Sequence, residues 1–178
     1  MSRYRRAVAG STFFFTLVTF RRRPILCDDA IRFALRRAIQ NVRSTHPFAI
    51  DAWVLLPDHL HCIWTMPDKD SNFSRRWMSI KQRVSIECRN YRVEALLAPS
   101  RRKHHESTIW QRRFWEHQIR DERDFERHME YVHFNPVRHG LARTAVDWPY
   151  STFHRYVRDE YYPSDWAGSV EAGKLDLE

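Results

Sequence analysis

The sequence predicts an α+β fold: a ferredoxin-like split β-α-β antiparallel sheet followed by additional C-terminal helices, one of which carries a tyrosine. Three observations predict it. Apolar segments of strand length fall near residues 12–20, 48–56, 59–66 and 109–119. Stretches with apolar residues at helical spacing lie between the first and second of these and between the third and fourth. Another helical stretch, over residues 121–135, follows the last strand. At 178 residues the chain has room for one domain over 1–160 and a pattern-poor, flexible tail over 161–178.

Thr12 to Phe20 is aromatic and β-branched, so it reads as a strand, closed by the basic turn Arg21-Arg22-Arg23-Pro24. It is too short and too β-rich for a secretion signal, and it ends on arginines rather than small residues. A helix follows, capped by Asp28 or Asp29, with Ile31, Leu35, Ile39 and Val42 on its buried face and Arg32, Arg36 and Arg43 toward solvent. Phe48 to Leu56 is a second strand, with Ile50, Ala52, Val54 and Leu56 on one face and Trp53 and Leu55 on the other. Apolar residues on both faces predict a central strand. After the Pro57-Asp58 turn, His59 to Met66 alternates. Leu60, Cys62, Trp64 and Met66 face one way, His59 and His61 the other.

Ser71 to Tyr91 has a helical stripe of Trp77, Ile80, Val84 and Cys88, with Arg75, Arg76, Lys81 and Arg83 as a basic face. A basic loop spans residues 98–105. Ile109 to Ile119 reads as a fourth strand or extended segment in which arginines interleave with aromatics. Asp121 to Asn135 is a helix with a core stripe of Phe125, Met129 and Val132, stopped by Pro136 and then Gly140. A short helix follows Trp148-Pro149-Tyr150-Ser151 and reaches about Tyr156.

The formal charge of +8 and pI near 9.8 come from thirty Lys and Arg, nearly all arginine. That balance favours a polyanionic partner over a small-molecule substrate, because guanidinium binds phosphate bidentately and stacks on bases. Three scattered cysteines, Cys27, Cys62 and Cys88, suit neither a disulfide framework nor a zinc knuckle and point to a cytoplasmic protein. No apolar run approaches the ~20 residues of a membrane span, so no membrane partner is expected.

The chemistry centres on two pairs. His59 and His61, two apart on a strand, project from one face and can share a divalent ion. Open coordination positions for phosphate oxygen suit Mg²⁺ or Mn²⁺. Tyr131 and Asn135, four apart on a helix, lie within about a tenth of a turn of each other. Asn135 is the candidate third ligand, with a helix-capping role before Pro136 as its alternative. A phenol of pKa near ~10 suits strand cutting and rejoining, since a 5′-phosphotyrosine conserves the bond energy that the freed 3′-hydroxyl needs to attack later. His-Glu-x-x-His is absent, and so is a second His-x-Ser or His-x-Thr, which argues against a zinc hydrolase and a two-motif phosphodiesterase.

Trp110, Arg112, Arg113 and Trp115 interleave stacking faces with phosphate contacts, as expected for a single strand or opened hairpin. Arg21, Arg22 and Arg23, with Arg101 and Arg102, are candidate phosphate clamps. Together these residues predict a metal-dependent DNA strand transferase acting on single-stranded or hairpin DNA. The alternatives are a non-catalytic single-stranded nucleic-acid-binding module on the same fold, and a metal-dependent hydrolase without a covalent intermediate.

Three ordered motifs carry a family resemblance: Trp53-Val54-Leu55-Leu56-Pro57-Asp58-His59-Leu60-His61, Trp110-Gln111-Arg112-Arg113-Phe114-Trp115-Glu116-His117 and Glu130-Tyr131-Val132-His133-Phe134-Asn135-Pro136-Val137. From about Arg3 to Val157 the chain resembles the REP-associated tyrosine transposases, relatives of the single-tyrosine HUH transposases. The resemblance implies nicking and joining of single-stranded DNA at hairpins of repetitive extragenic palindromes, on a bacterial nucleoid. It assigns His59 and His61 to metal, Tyr131 to covalent attack and Asn135 to the third-ligand position. It further implies recognition of the hairpin foot partly by the N-terminal segment, with Arg3, Tyr4 and Arg5 as local candidates, and it leans to a monomer.

Overall fold

A central strand, β1 (Thr12–Val18), alternates Phe13, Phe15 and Leu17 on one face with Phe14 and Thr16 on the other, so the sheet is seeded with a core on each side. The computed structural model describes residues 11–93, 96, 99, 107–166 and 168. Its other strands are β2 (Ala49–Leu55), β3 (His59–Thr65) and β4 (Trp115–Gln118). They form one antiparallel sheet in the order β2-β3-β1-β4. The two helices that join the strands, α1 (Asp29–Thr45) and α2 (Phe73–Glu87), cover one face. The long helix α3 (Glu122–Arg138) covers the other, packing chiefly on β2 and β3, and a short α4 (Phe153–Arg158) follows. This is the predicted α+β, split β-α-β order. Among the described residues no helix is long and apolar enough to cross a membrane.

The expected elements differ from the observed ones in instructive ways. β2 is an edge strand, not a central one. Its outer edge is covered by the segment before α4: Leu55 N–H donates to the Tyr150 carbonyl (2.9 Å) and Thr152 N–H to the Trp53 carbonyl (2.9 Å). The register between β2 and β3 shifts between Ile50 and Ala52, so Ile50 joins Trp53 and Leu55 in the core under α1 and α2, not Ala52 and Val54 on the opposite face. Asp51, the extra residue, accepts from the Thr65 hydroxyl (2.7 Å).

The basic face of α2 loses Arg76, which is 3% exposed. Its guanidinium donates to the His46, Pro47 and Asn72 carbonyls and pairs with Asp70 at 2.7 Å. The fourth strand is shorter than predicted. Trp110 forms only a bridge to Thr19 and is 4% exposed in the first core, so it is a packing residue with no face to offer a base.

Pro136 does not end α3, which runs on to Arg138. The helix stops at Gly140, whose φ of +67° permits a Schellman closure: Leu141 N–H donates to the Pro136 carbonyl (2.9 Å) and Gly140 N–H to the Val137 carbonyl (3.0 Å). The expected tail is not free at its start, because Tyr162 is buried against Phe153 and Trp166 packs on both. A Cβ at Gly168 would lie 2.5 Å from the Phe134 ring, so that position admits only glycine as placed.

Candidate metal and nucleophile site

The alternation of β3 sends Leu60, Cys62 and Trp64 into the first core and turns His59 and His61 toward α3, as the spacing predicts. Both rings are buried and lie 4.9 Å apart between centroids, inclined at 77°. Each Nδ1 is engaged by a neighbour. His59 Nδ1 is 2.7 Å from Asp58 Oδ1, and His61 Nδ1 is 2.8 Å from Thr16 Oγ1 across the β1–β3 ladder. Burial alone would raise the Asp58 carboxyl, but its hydrogen bonds to His59 and Arg22 and their charges outweigh that and hold it below the usual range. An ionised Asp58 accepts from His59 Nδ1–H, fixing the tautomer whose Nε2 carries the lone pair.

The basic turn braces this arrangement. Arg21 and Arg22 adopt φ of 55° and 50°, uncommon for residues with side chains, and the surroundings hold them there. Thr19 N–H donates to the Asp58 carbonyl (2.8 Å), and the Thr19 hydroxyl donates to the Arg23 carbonyl (2.8 Å). Arg22 pairs with the Asp58 carboxylate at 3.2 Å. Arg23 donates to the Tyr91 and Thr108 carbonyls, both at 2.9 Å, so it ties the loops together instead of clamping phosphate. Arg21 remains exposed.

From the opposite side α3 supplies the phenol. Asp121 caps the helix by accepting from Asp124 N–H (2.9 Å), and Glu122 and Asp124 place negative charge in the first turn, where the helix dipole favours it. Phe125, Met129 and Val132 pack in the second core beside Tyr131. The Tyr131 ring stands 5.2 Å from the His61 ring at 70°, rests against Phe14 at 5.9 Å, and lies 5.7 Å from the Arg138 guanidinium carbon. One further turn along, Asn135 is fully buried, and neither its Oδ1 nor its Nδ2 has a hydrogen-bond partner. A turn beyond that, His139 faces His59 with ring centroids 5.0 Å apart. Tyr131 and His139 thus bracket Asn135 against the two histidines.

An orphaned, fully buried carboxamide costs about 1–3 kcal/mol per unmet group, and a divalent ion beside the two imidazoles would bind its Oδ1. The donor set of two neutral nitrogens and an amide oxygen fits such an ion. Asn135 is not a helix cap, since it lies inside α3. A second group could also hold a cation: His117, Asp124 and His128 offer ligand atoms within 4.8 Å of one another. Within it His117 Nε2 lies 2.8 Å from Asp124 Oδ2 and His128 Nδ1 3.1 Å from Asp124 Oδ1.

Of the expected nucleic-acid contacts, Arg112, Arg113 and Trp115 are exposed on the segment entering β4. Arg3, Tyr4, Arg5, Arg101 and Arg102 lie outside the described residues. Sequence reasoning missed Thr16, Phe14, Arg138 and His139 as site neighbours. Only His139 carried a signal, the continued four-residue step from Tyr131 through Asn135.

Comparison with known proteins identifies the family. The family described as Transposase IS200 like matches residues 7–135. The chain is 44% identical over 171 residues to the REP-associated tyrosine transposase of Escherichia coli (strain K12), covering 96% of this chain and 93% of that protein. A solved structure of a REP-associated tyrosine transposase bound to a REP hairpin superposes with a TM-score of 0.76 at 42% identity, with both chains covered in full.

Proposed function

Because the chain belongs to the IS200-like transposases and, within them, to the REP-associated tyrosine transposases, we propose that it cuts and rejoins single-stranded DNA at hairpins of repetitive extragenic palindromes. Tyr131 is the nucleophile in this reading, and His59, His61 and Asn135 hold a divalent ion, Mg²⁺ or Mn²⁺. The observation that carries it is the 5.2 Å approach of the Tyr131 and His61 rings from two elements far apart in sequence.

When bound, the ion would supply positive charge at a phosphate oxygen. His59 Nε2 is held ready by the Asp58 hydrogen bond, and the two histidines and Asn135 together orient the phosphate against α3. Tyr131 Oη attacks phosphorus and forms a 5′-phosphotyrosine as the bond to the 3′-oxygen breaks. The phenol proton passes to solvent and the 3′-oxygen departs as a hydroxyl after taking up a proton. In the reverse step a 3′-hydroxyl attacks the phosphotyrosine, restoring the phosphodiester and the free phenol. The Arg138 guanidinium near the Tyr131 ring favours the developing phenolate. Tyr131 is 1% exposed, so a phosphate reaches it only when neighbouring side chains turn outward on binding. A protein with this activity works in the cytoplasm, on the nucleoid.

Incubating the protein with a hairpin oligonucleotide and Mn²⁺ is expected to trap a covalent adduct that EDTA prevents and Tyr131→Phe abolishes. His61→Ala is expected to remove cleavage while hairpin binding persists. An adduct that survives Tyr131→Phe would refute the nucleophile. Tight, salt-sensitive binding with no adduct under any metal would replace this reading with a non-catalytic binding module.

A further inference from the structure

We infer that Trp115 is a stacking platform for an unpaired nucleobase beside the scissile phosphate, an assignment that rests on the strand-transfer reading above. Three lines of geometry support it. In the sheet register Thr16 lies opposite His61 on one side and opposite Trp115 on the other, so the three residues form a single row across β3, β1 and β4 on the same face. Two strand spacings separate the ends of that row, roughly 10 Å between backbones and about the reach of adjacent nucleotides. Phe14, fully buried, touches all three partners: its ring centroid is 5.6 Å from Trp115, 5.5 Å from His61 and 5.9 Å from Tyr131.

The indole is held in place and left open. Its plane is parallel to His117 within 6°, and His117 in turn stacks on His128 at 4.7 Å and 13°. Asp124 fixes both imidazoles, His117 Nε2 through its carboxylate (2.8 Å) and His128 Nδ1 through its main-chain carbonyl (2.8 Å). α3 packs chiefly on β2 and β3 and meets β4 at His117, while Trp115, at the start of that strand, stays 43% exposed. A large aromatic surface left in water next to a catalytic centre is worth explaining, since burying it would stabilise the fold. Arg112 and Arg113, both exposed, precede it on a segment that Lys81 pins by donating to the Gln111 (2.6 Å) and Arg112 (3.0 Å) carbonyls. An aromatic face flanked by cations is the chemistry of single-strand recognition, tolerant of which base it meets.

The test uses the full chain carrying Tyr131→Phe, which blocks turnover, and a hairpin of a repetitive extragenic palindrome with 2-aminopurine placed in turn at each position of its single-stranded foot. With Trp115 present, one position is expected to be quenched on binding, and Trp115→Ala is expected to restore its fluorescence without lowering the melting temperature. Trp115→Ala is also expected to weaken binding about tenfold. Trp115→Phe should recover most of that loss, and an abasic nucleotide at the quenched position should erase the difference between Trp115 and the Ala variant. Binding with no position that distinguishes Trp115 from Trp115→Ala would overturn the platform alone. A hairpin that fails to bind the protein with Trp115 intact would overturn the strand-transfer reading as well.

Discussion

Asp58 shows how much of this site is built one layer behind the chemistry. Its carboxylate accepts a hydrogen bond from His59 Nδ1–H and pairs with the Arg22 guanidinium, so a single side chain links the basic turn to an expected metal ligand. Asp58→Asn can present its amide instead of an ionised acceptor and weakens the preference for the Nε2 lone pair. Its affinity for Mn²⁺, titrated calorimetrically, is expected to fall by about 10-fold or more. Hairpin binding measured in EDTA should be unchanged. An unaltered Mn²⁺ affinity would mean that the ring orientation is set elsewhere. At this scale the site was legible where spacing alone brings side chains together: His59 with His61, Tyr131 with Asn135. It was not legible for Arg22, Arg23, Arg76 and Trp110, whose roles depend on which distant carbonyl, carboxylate or core they meet, and no local pattern encodes that.

At the scale of elements, α3 is fastened to the sheet along its length. Its first turn meets β4 through Asp124 and His117, and its middle meets β2 through His133 and Thr152. The Thr152 hydroxyl accepts from Trp53 N–H (2.8 Å) and lies 2.9 Å from His133 Nε2. Burial, with the Arg155 charge adding to it, pushes the His133 imidazole down to about 3, so the ring is neutral in this junction. Thr152→Val keeps the shape and removes the shared oxygen. It is expected to cost about 1–3 kcal/mol in urea unfolding, because a buried backbone N–H and a buried imidazole each lose a partner. A cost near zero would show that the backbone bond from Thr152 N–H to the Trp53 carbonyl is sufficient by itself. Element order and type were readable from periodicity, but the edge position of β2 was not. Its apolar character on both faces reflects the two cores, while its neighbour along the open edge comes from residues 150–152, about a hundred positions later. The shift at Asp51 escaped for a related reason, since one inserted residue leaves composition unchanged while reversing which face Ile50 occupies. Pro136 misled in the opposite direction: a missing N–H in the last turn of a helix is tolerable, and the helix ends only where a glycine four residues later closes the carbonyls.

Over the whole molecule, the formal charge of +8 sets the expectation for how binding responds to salt. Arg21, Arg112 and Arg113 are exposed on the turn after β1 and the segment before β4. If all three meet phosphates, replacing them with alanine should reduce the slope of log affinity against log salt by about 2, at roughly 0.7 per single-strand contact. A slope unchanged by the triple substitution would assign the counterion release to other arginines. The measurement separates phosphate contact from base stacking, because loss of the Trp115 indole should alter affinity and leave the slope alone.

The cover that residues 150–152 lay along β2 also gives the sheet a polarity. A strand pairing with it from outside is turned away on that flank, because the Leu55 N–H and Trp53 carbonyl are already occupied there. β4 is the other border, only four residues long and carrying Glu116 with its charge outward. A border so short, with a carboxylate upon it, is poor ground for chain-to-chain zippering even beside an open aromatic surface.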